Sequence, residues 1–381
     1  MLKKIPAILI IIFLSFLVAD KNEQIVIIGT TNVHGEIDPC GWKKKPLGGL
    51  ARKATVISEL INNNEDPIIL DAGDLYFKKE QIDPGVTLDV AKINAEIITE
   101  SFNFIGCDAF SPGSKDFAAG LDFLLEQHKN AEFDYVSSNI ANNDGELLFD
   151  PYTIVNRGNY KVGIIGLSSI FDSQEVLVLD PIESLELVFE EVKDKSDLTI
   201  LLFNASQQDL TKLYNKGYNI DMILSSKGRT RSSDGGSKIP TYIAGDRGKI
   251  LYKFSFNLVD EDLPIVDLAW CENTISRVTD RLNKMKQGNL DVDLYSMYKD
   301  DQKTLNRIVA YESQLDRANQ LLENAINVLD FEKIELDKTI FDRNDILKIV
   351  DKGKEKIMEI GGPLLDPSGR LPGDPHHGHN H

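Results

Sequence analysis

Short β-branched runs alternate with amphipathic stretches from Gln24 to about Val259, the pattern of a layered α/β domain in which helices flank a sheet. The runs predict strands at Ile25–Ile28, Pro67–Leu70, Tyr135–Ile140, Leu198–Phe203, Met222–Leu224 and Lys249–Phe256, with a hairpin turning at Asn156-Arg157-Gly158-Asn159. Between the first two, Leu50 to Ile61 carries the apolar period of a helix. Ligand crevices in such sheets lie beyond the carboxyl ends of the strands, so the loops after these strands are where chemistry is expected.

After about Trp270 the pattern turns helical. Ile275, Val278, Leu282 and Met285 keep a three-four spacing, and Ile308, Tyr311, Leu315, Ala318, Leu322, Ala325 and Leu329 hold a heptad. A third amphipathic stretch carries Ile346, Ile349, Val350, Ile357 and Ile360. Residues 272–360 are therefore expected to form a coiled-coil-like region built round a helical hairpin. Two roles stay open for it: packing against the main domain or itself, and pairing with a second copy or an envelope protein. The segment 363–381 is rich in Pro and Gly and is expected to be disordered. It ends with His376, His377, His379 and His381, imidazoles able to chelate nickel, zinc or copper loosely.

Composition narrows the class. With 42% hydrophobic and 27% charged residues, the 381-residue chain reads as globular, long enough for one large domain and an appendage. Lys3 and Lys4 precede an apolar run from Ile5 to Ala19 that is broken by Pro6 and Ser15. This predicts a signal peptide over 1–19 and a periplasmic or secreted protein, with an uncleaved membrane anchor left open because Leu17 is large for its place before the cut. A net charge of −18 argues against nucleic acid as a partner. Three cysteines, Cys40, Cys107 and Cys271, permit at most one disulfide, so no disulfide framework holds the fold.

The loops beyond the strands carry motifs in a telling order: Gly29-Thr30-Thr31-Asn32-Val33-His34-Gly35, Gly48-Gly49-Leu50-Ala51-Arg52, Leu70-Asp71-Ala72-Gly73-Asp74, Gly113-Ser114-Lys115-Asp116-Phe117, Leu201-Leu202-Phe203-Asn204, Ser225-Ser226-Lys227-Gly228-Arg229 and Gly245-Asp246-Arg247-Gly248-Lys249. Over Gln24 to Val259 this series resembles the 5'-nucleotidase-like metallophosphoesterases, of the calcineurin-like phosphoesterase fold. The resemblance implies a four-layer β-sandwich flanked by helices, here with a C-terminal helical hairpin added. In that family the motifs read Thr-Asn-Asp-x-His-Gly, Asp-Ala-Gly-Asp, Gly-Asn-His-Glu-Phe, a strand ending in His, and Gly-Gly-His-x-His.

Two-metal phosphohydrolysis needs imidazoles and carboxylates around cations about 3.5 to 4 Å apart, one of which activates water. Imidazoles are scarce in this chain, because of six histidines only His34 and His128 lie outside the tail. His128, within Glu126-Gln127-His128-Lys129, reads as a solvated surface residue. Matched to the family, the first-motif aspartate is Asn32, His34 is kept, and Asp74 matches the metal-bridging carboxylate. The third-motif asparagine and proton-donating histidine become Ser114 and Lys115, followed by Asp116. Asn204, Lys227 and Arg229 replace the three later histidines. Fixed positive charge repels a metal yet can pair with Asp71, Asp74 or Asp116, so a metal-poor pocket is expected. Asn32, His34 and Asp74 are what remains to hold a residual zinc or manganese ion.

Glu36-Ile37-Asp38-Pro39-Cys40-Gly41 also resembles a branch of the superfamily with Pro-Cys-Gly-Cys before the first helix and Lys-Asp in place of His-Glu, some of whose members are fused to c-type haem domains. Trp42 stands where that branch has its second cysteine, so no dithiol forms in the loop. There is no Cys-x-x-Cys-His, which excludes covalent haem. Cys40 beside Lys43, Lys44 and Lys45 reads either as a reactive thiolate at the pocket or as a loop cysteine kept by descent. The expectation is an exported, catalytically degenerate protein that binds a small anion or a partner. Two alternatives stand beside it: an active periplasmic metal-dependent phosphate or sulfate ester hydrolase centred on Asn32, His34, Asp74 and Asp116, and an envelope assembly or redox-partner protein that dimerises through its C-terminal helices.

Overall fold

A computed structural model describes residues 24–362, apart from 43–44, 64, 84, 228–238 and 261–262. The expected signal peptide over 1–19, Arg229 and the histidine-bearing tail lie outside the described residues. Strand β1 (Ile25–Thr30) leads through a small hairpin, β2 (Cys40–Trp42) and β3 (Lys45–Leu47), into α1 (Leu50–Asn62) and β4 (Ile68–Asp71). Next come α2 (Leu88–Ile105), β5 (Ala109–Phe110), a single 3-10 turn (Ser114–Phe117), α3 (Leu121–Asn130), β6 (Asp134–Tyr135) and β7 (Ile140–Ala141). A hairpin of β8 (Tyr152–Arg157) and β9 (Tyr160–Ser168) precedes β10 (Leu177–Val178), α4 (Pro181–Lys195), β11 (Leu198–Asn204), α5 (Gln207–Lys216), β12 (Met222–Ser226), β13 (Thr241–Tyr242) and β14 (Ile250–Asn257). The chain closes with β15 (Ile265–Asp267), α6 (Leu268–Met285), α7 (Leu294–Met297), α8 (Gln302–Glu323), β16 (Asn327–Glu335) and α9 (Asn344–Glu359).

Two sheets face each other. One has seven strands in the order β15-β16-β14-β1-β4-β5-β6, and the other five in the order β13-β12-β11-β9-β8. Strand periodicity divides the side chains between layers. Ile27, Leu70, Ile164, Leu202 and Leu224 point into the core between the sheets. Their neighbours Ile28 and Ile69 point outward under α1, α2 and α9, while Ile165, Leu201 and Ile223 lie under α4 and α5. The result is the expected sandwich of helix, sheet, sheet and helix.

The C-terminal third departs from expectation. Helices α6 and α8 do pack on one another as a hairpin, but α8 stops at Glu323. Leu329, read as the last heptad position, is fully buried in β16. That strand pairs antiparallel with β14, Phe331 opposite Phe254, and parallel with β15. Asn327 fixes the switch: its buried amide accepts from Val259 N and Asp260 N and donates to Asp260 O and Leu263 O. Helix α9 also returns to the main body, with Ile346, Ile349 and Val350 buried in the layer of α1 and α2. Residues 272–360 are therefore not one helical appendage, because β14 needs a partner strand and the first sheet needs cover. The strand expected over 135–140 is likewise split into β6 and β7, with the side chains of Ser138 and Asn139 bonded to backbone carbonyls of other segments.

Candidate functional site

The loops after β1, β4, β5, β11 and β12 meet at the carboxyl edge of the two sheets. The first two are laced together by Asn32 N to Gly73 O at 3.0 Å, His34 N to Asp74 O at 3.0 Å and Gly35 N to Leu75 O at 2.9 Å. Asn32, His34, Asp74 and Lys227 all hold positive φ, between 55° and 66°. Such backbone is uncommon for residues with a Cβ and concentrates where side chains are aimed for a purpose. Gly113 has no room for a side chain: a Cβ there would lie 2.5 Å from both Asn204 Nδ2 and Asp74 Oδ1.

Lys115 reaches into the centre of this arrangement. Its Nζ lies 2.8 Å from Asp74 Oδ2 and 3.0 Å from His34 Nε2. An ammonium only donates, so His34 Nε2 accepts and the ring proton sits on Nδ1, which faces Asp246 Oδ1 at 3.3 Å. That contact holds the Asp246 carboxyl below its usual range. Asp116 accepts three backbone N–H bonds, from Asp74, Tyr76 and Gly113, at 2.8 to 2.9 Å. Burial and the nearby Asp74 charge push its carboxyl upward against those donors.

Asn204 is fully buried and committed to the protein. Its amide donates to Ser226 Oγ at 2.7 Å, Ser226 Oγ donates to Ala72 O at 2.6 Å, and Ser114 N donates to Asn204 Oδ1 at 3.3 Å. Asn32 is turned the same way, donating to Thr31 Oγ1 and accepting from Lys227 N. Lys227 is half-buried, and desolvation lowers its ammonium against the attraction of Asp74. Ser114 Oγ is buried and makes no hydrogen bond among the described residues.

No protein-family model matches the chain. A segment of 166 residues is 32% identical to a snake venom 5'-nucleotidase of Gloydius brevicauda, covering 40% of this chain and 26% of that protein. Among solved structures, a 5'-nucleotidase precursor from Thermus thermophilus superposes with a TM-score of 0.62 at 16% identity, over 90% of this chain and 60% of that one. The calcineurin-like phosphoesterase YfkN from Bacillus subtilis superposes with a TM-score of 0.51 at 23% identity, over 63% of this chain and 86% of that one. The chain is similar to 5'-nucleotidases over that segment, and its fold is that of the metallophosphoesterases. Its match spans about a quarter, 26%, of the snake venom enzyme.

A metallophosphoesterase centre normally depends on divalent metals, and the described residues do not fit one. Among the described residues, no three His, Cys, Asp or Glu side chains come together in a way that would hold an ion. The two surviving donors that do converge, His34 Nε2 and Asp74 Oδ2, converge on the Lys115 ammonium. Of the pocket candidates, the structure gathers Asn32, His34, Asp74, Lys115, Asp116, Asn204 and Lys227.

Cys40 does not join them as a thiolate. It is 2% exposed on β2, and burial together with Glu36 pushes its thiol up to about 11. His128 is not a solvated residue either, since its ring packs 4.7 Å from Tyr135 and 5.4 Å from Phe149. Sequence reading missed two partners. Asp246 was visible only as part of a turn. Lys53 is buried in α1, with Nζ 3.1 Å from Thr30 Oγ1 and 3.8 Å from the Phe102 ring centre, close to Asp71. Its place three residues after Leu50, on the apolar stripe, was the available signal.

Proposed function

We propose that this chain is an exported metallophosphoesterase-fold protein whose catalytic centre is degenerate and which binds a small oxyanion there instead of hydrolysing an ester with two metals. The observation that supports this most is the Lys115 ammonium seated between His34 Nε2 and Asp74 Oδ2. A positive charge fixed at that point opposes a divalent cation and leaves no metal to activate water. Two further groups favour an anion. Ser114 Oγ is a buried hydroxyl without a partner among the described residues, and Lys227 brings a second, partly desolvated ammonium toward Asp74 and Lys115. Export rests on the N-terminal lysines and the apolar run of residues 5–19.

The test is calorimetric titration of the full chain with inorganic phosphate and with sulfate, beside a screen of phosphate and sulfate ester hydrolysis. The expected result is saturable binding of one of these anions, weakened at least tenfold in the Lys115→Met, Lys227→Met double variant, with no turnover. Turnover abolished by Asp74→Ala contradicts the reading and restores an active hydrolase.

A further inference from the structure

His34 Nε2 and Asp74 Oδ2 are both donors of the kind that bind divalent cations, and both lie within 3.0 Å of one point, the Lys115 nitrogen. Asp246 holds the imidazole by Nδ1 at 3.3 Å, so the Nε2 lone pair is presented inward, the same orientation a carboxylate imposes on a metal-ligating histidine. Neither donor owes its place to the Lys115 side chain alone, and the Lys115 N–H that donates to Asp74 Oδ1 at 3.3 Å survives its removal. The His34 and Asp74 loops are tied by their own backbone bonds, and Asp74 N is held by Asp116 Oδ2 at 2.9 Å. Asp74 is a fully buried carboxylate, so the point lies in a field that favours positive charge.

We infer that Lys115 is a tethered counter-ion standing where a divalent cation would stand, and that removing its ammonium turns His34 and Asp74 into a site for one divalent cation. The inference rests on the reading of the unaltered centre as metal-free. Manganese suits the resulting site, since one imidazole and one carboxylate leave its remaining positions to water. Lys115 keeps 23% of its side-chain surface exposed, which gives an ion and its waters a way in once the side chain is trimmed.

The experiment is titration of free Mn²⁺, read by electron paramagnetic resonance, into the full chain as wild type, Asp74→Asn, Lys115→Ala and Lys115→Ala/Asp74→Asn. The C-terminal histidines contribute equally to all four and cancel in the differences. Lys115→Ala is expected to hold one more Mn²⁺ per chain than wild type, the double variant to lose it, and Mn²⁺ to raise the melting temperature of Lys115→Ala alone. Lys115→Gln serves the same comparison if the alanine variant does not fold. A folded variant that holds no more Mn²⁺ than wild type overturns this inference and leaves the proposed function standing. Asp74-dependent Mn²⁺ in the wild type overturns the metal-free reading itself.

Discussion

The Lys115 ammonium lies 2.8 Å from the Asp74 carboxylate, and the carboxylate is fully buried while the lysine is not. The pair is therefore asymmetric: the lysine can exchange with water, whereas Asp74 has lost its hydration. Removing the cation alone leaves a buried charge uncompensated, which is more damaging than removing both. Lys115→Met is expected to lower unfolding stability by about 3 kcal/mol, the low end of the range for such changes because Lys115 is partly exposed. Urea unfolding measures it, and a loss below about 1 kcal/mol, the scale of a surface ion pair, contradicts the account.

Asp71, buried beneath the site, accepts from Thr30 Oγ1 and Gly73 N. Burial, opposed by Lys53, pushes its carboxyl from 3.8 to about 7. An acid with a higher pKa in the fold binds more protons folded than unfolded between those two values. Its contribution to stability is therefore greatest at the acid end and drains away as pH rises from about 4 to about 7. The stability of wild type relative to Asp71→Asn, measured by urea unfolding across that window, should fall with rising pH. A flat or rising difference contradicts the placement.

Cys40 is expected to be inert. A thiol that is buried and raised to about 11 offers almost no thiolate at pH 8. Alkylation of the native protein with iodoacetamide at that pH should leave Cys40 unmodified over a time in which the unfolded chain reacts fully. Rapid labelling of Cys40 by peptide mapping would restore it as a pocket nucleophile.

Much of the fold was legible because its cues are local. The short β-branched and apolar runs at Ile25–Ile28 and Leu198–Phe203 and the helical stripe from Leu50 mark their elements within a dozen residues, and the motif order carried the sandwich. What failed was non-local. Leu329 continues the heptad of α8, and only the unpaired edge of β14 makes its segment a strand. The site divides the same way. The family resemblance implied the replaced positions Ser114, Lys115, Asn204 and Lys227, yet it could not say that Lys115 turns inward onto His34 and Asp74 while Asn204 turns away into Ser226. Cys40 stayed open between a reactive thiolate and a loop cysteine kept by descent because a sequence gives neighbours in the chain and not depth in the fold.

If the Lys115 ammonium holds the place of a cation, metal content tests that most directly. The protein to measure carries alanine at His376, His377, His379 and His381, equilibrated with equimolar zinc and manganese, desalted, and analysed by elemental mass spectrometry. Less than about 0.1 ion per chain is the predicted result. Near two ions per chain, lost on Asp74→Ala, would show a working two-metal centre and contradict the account.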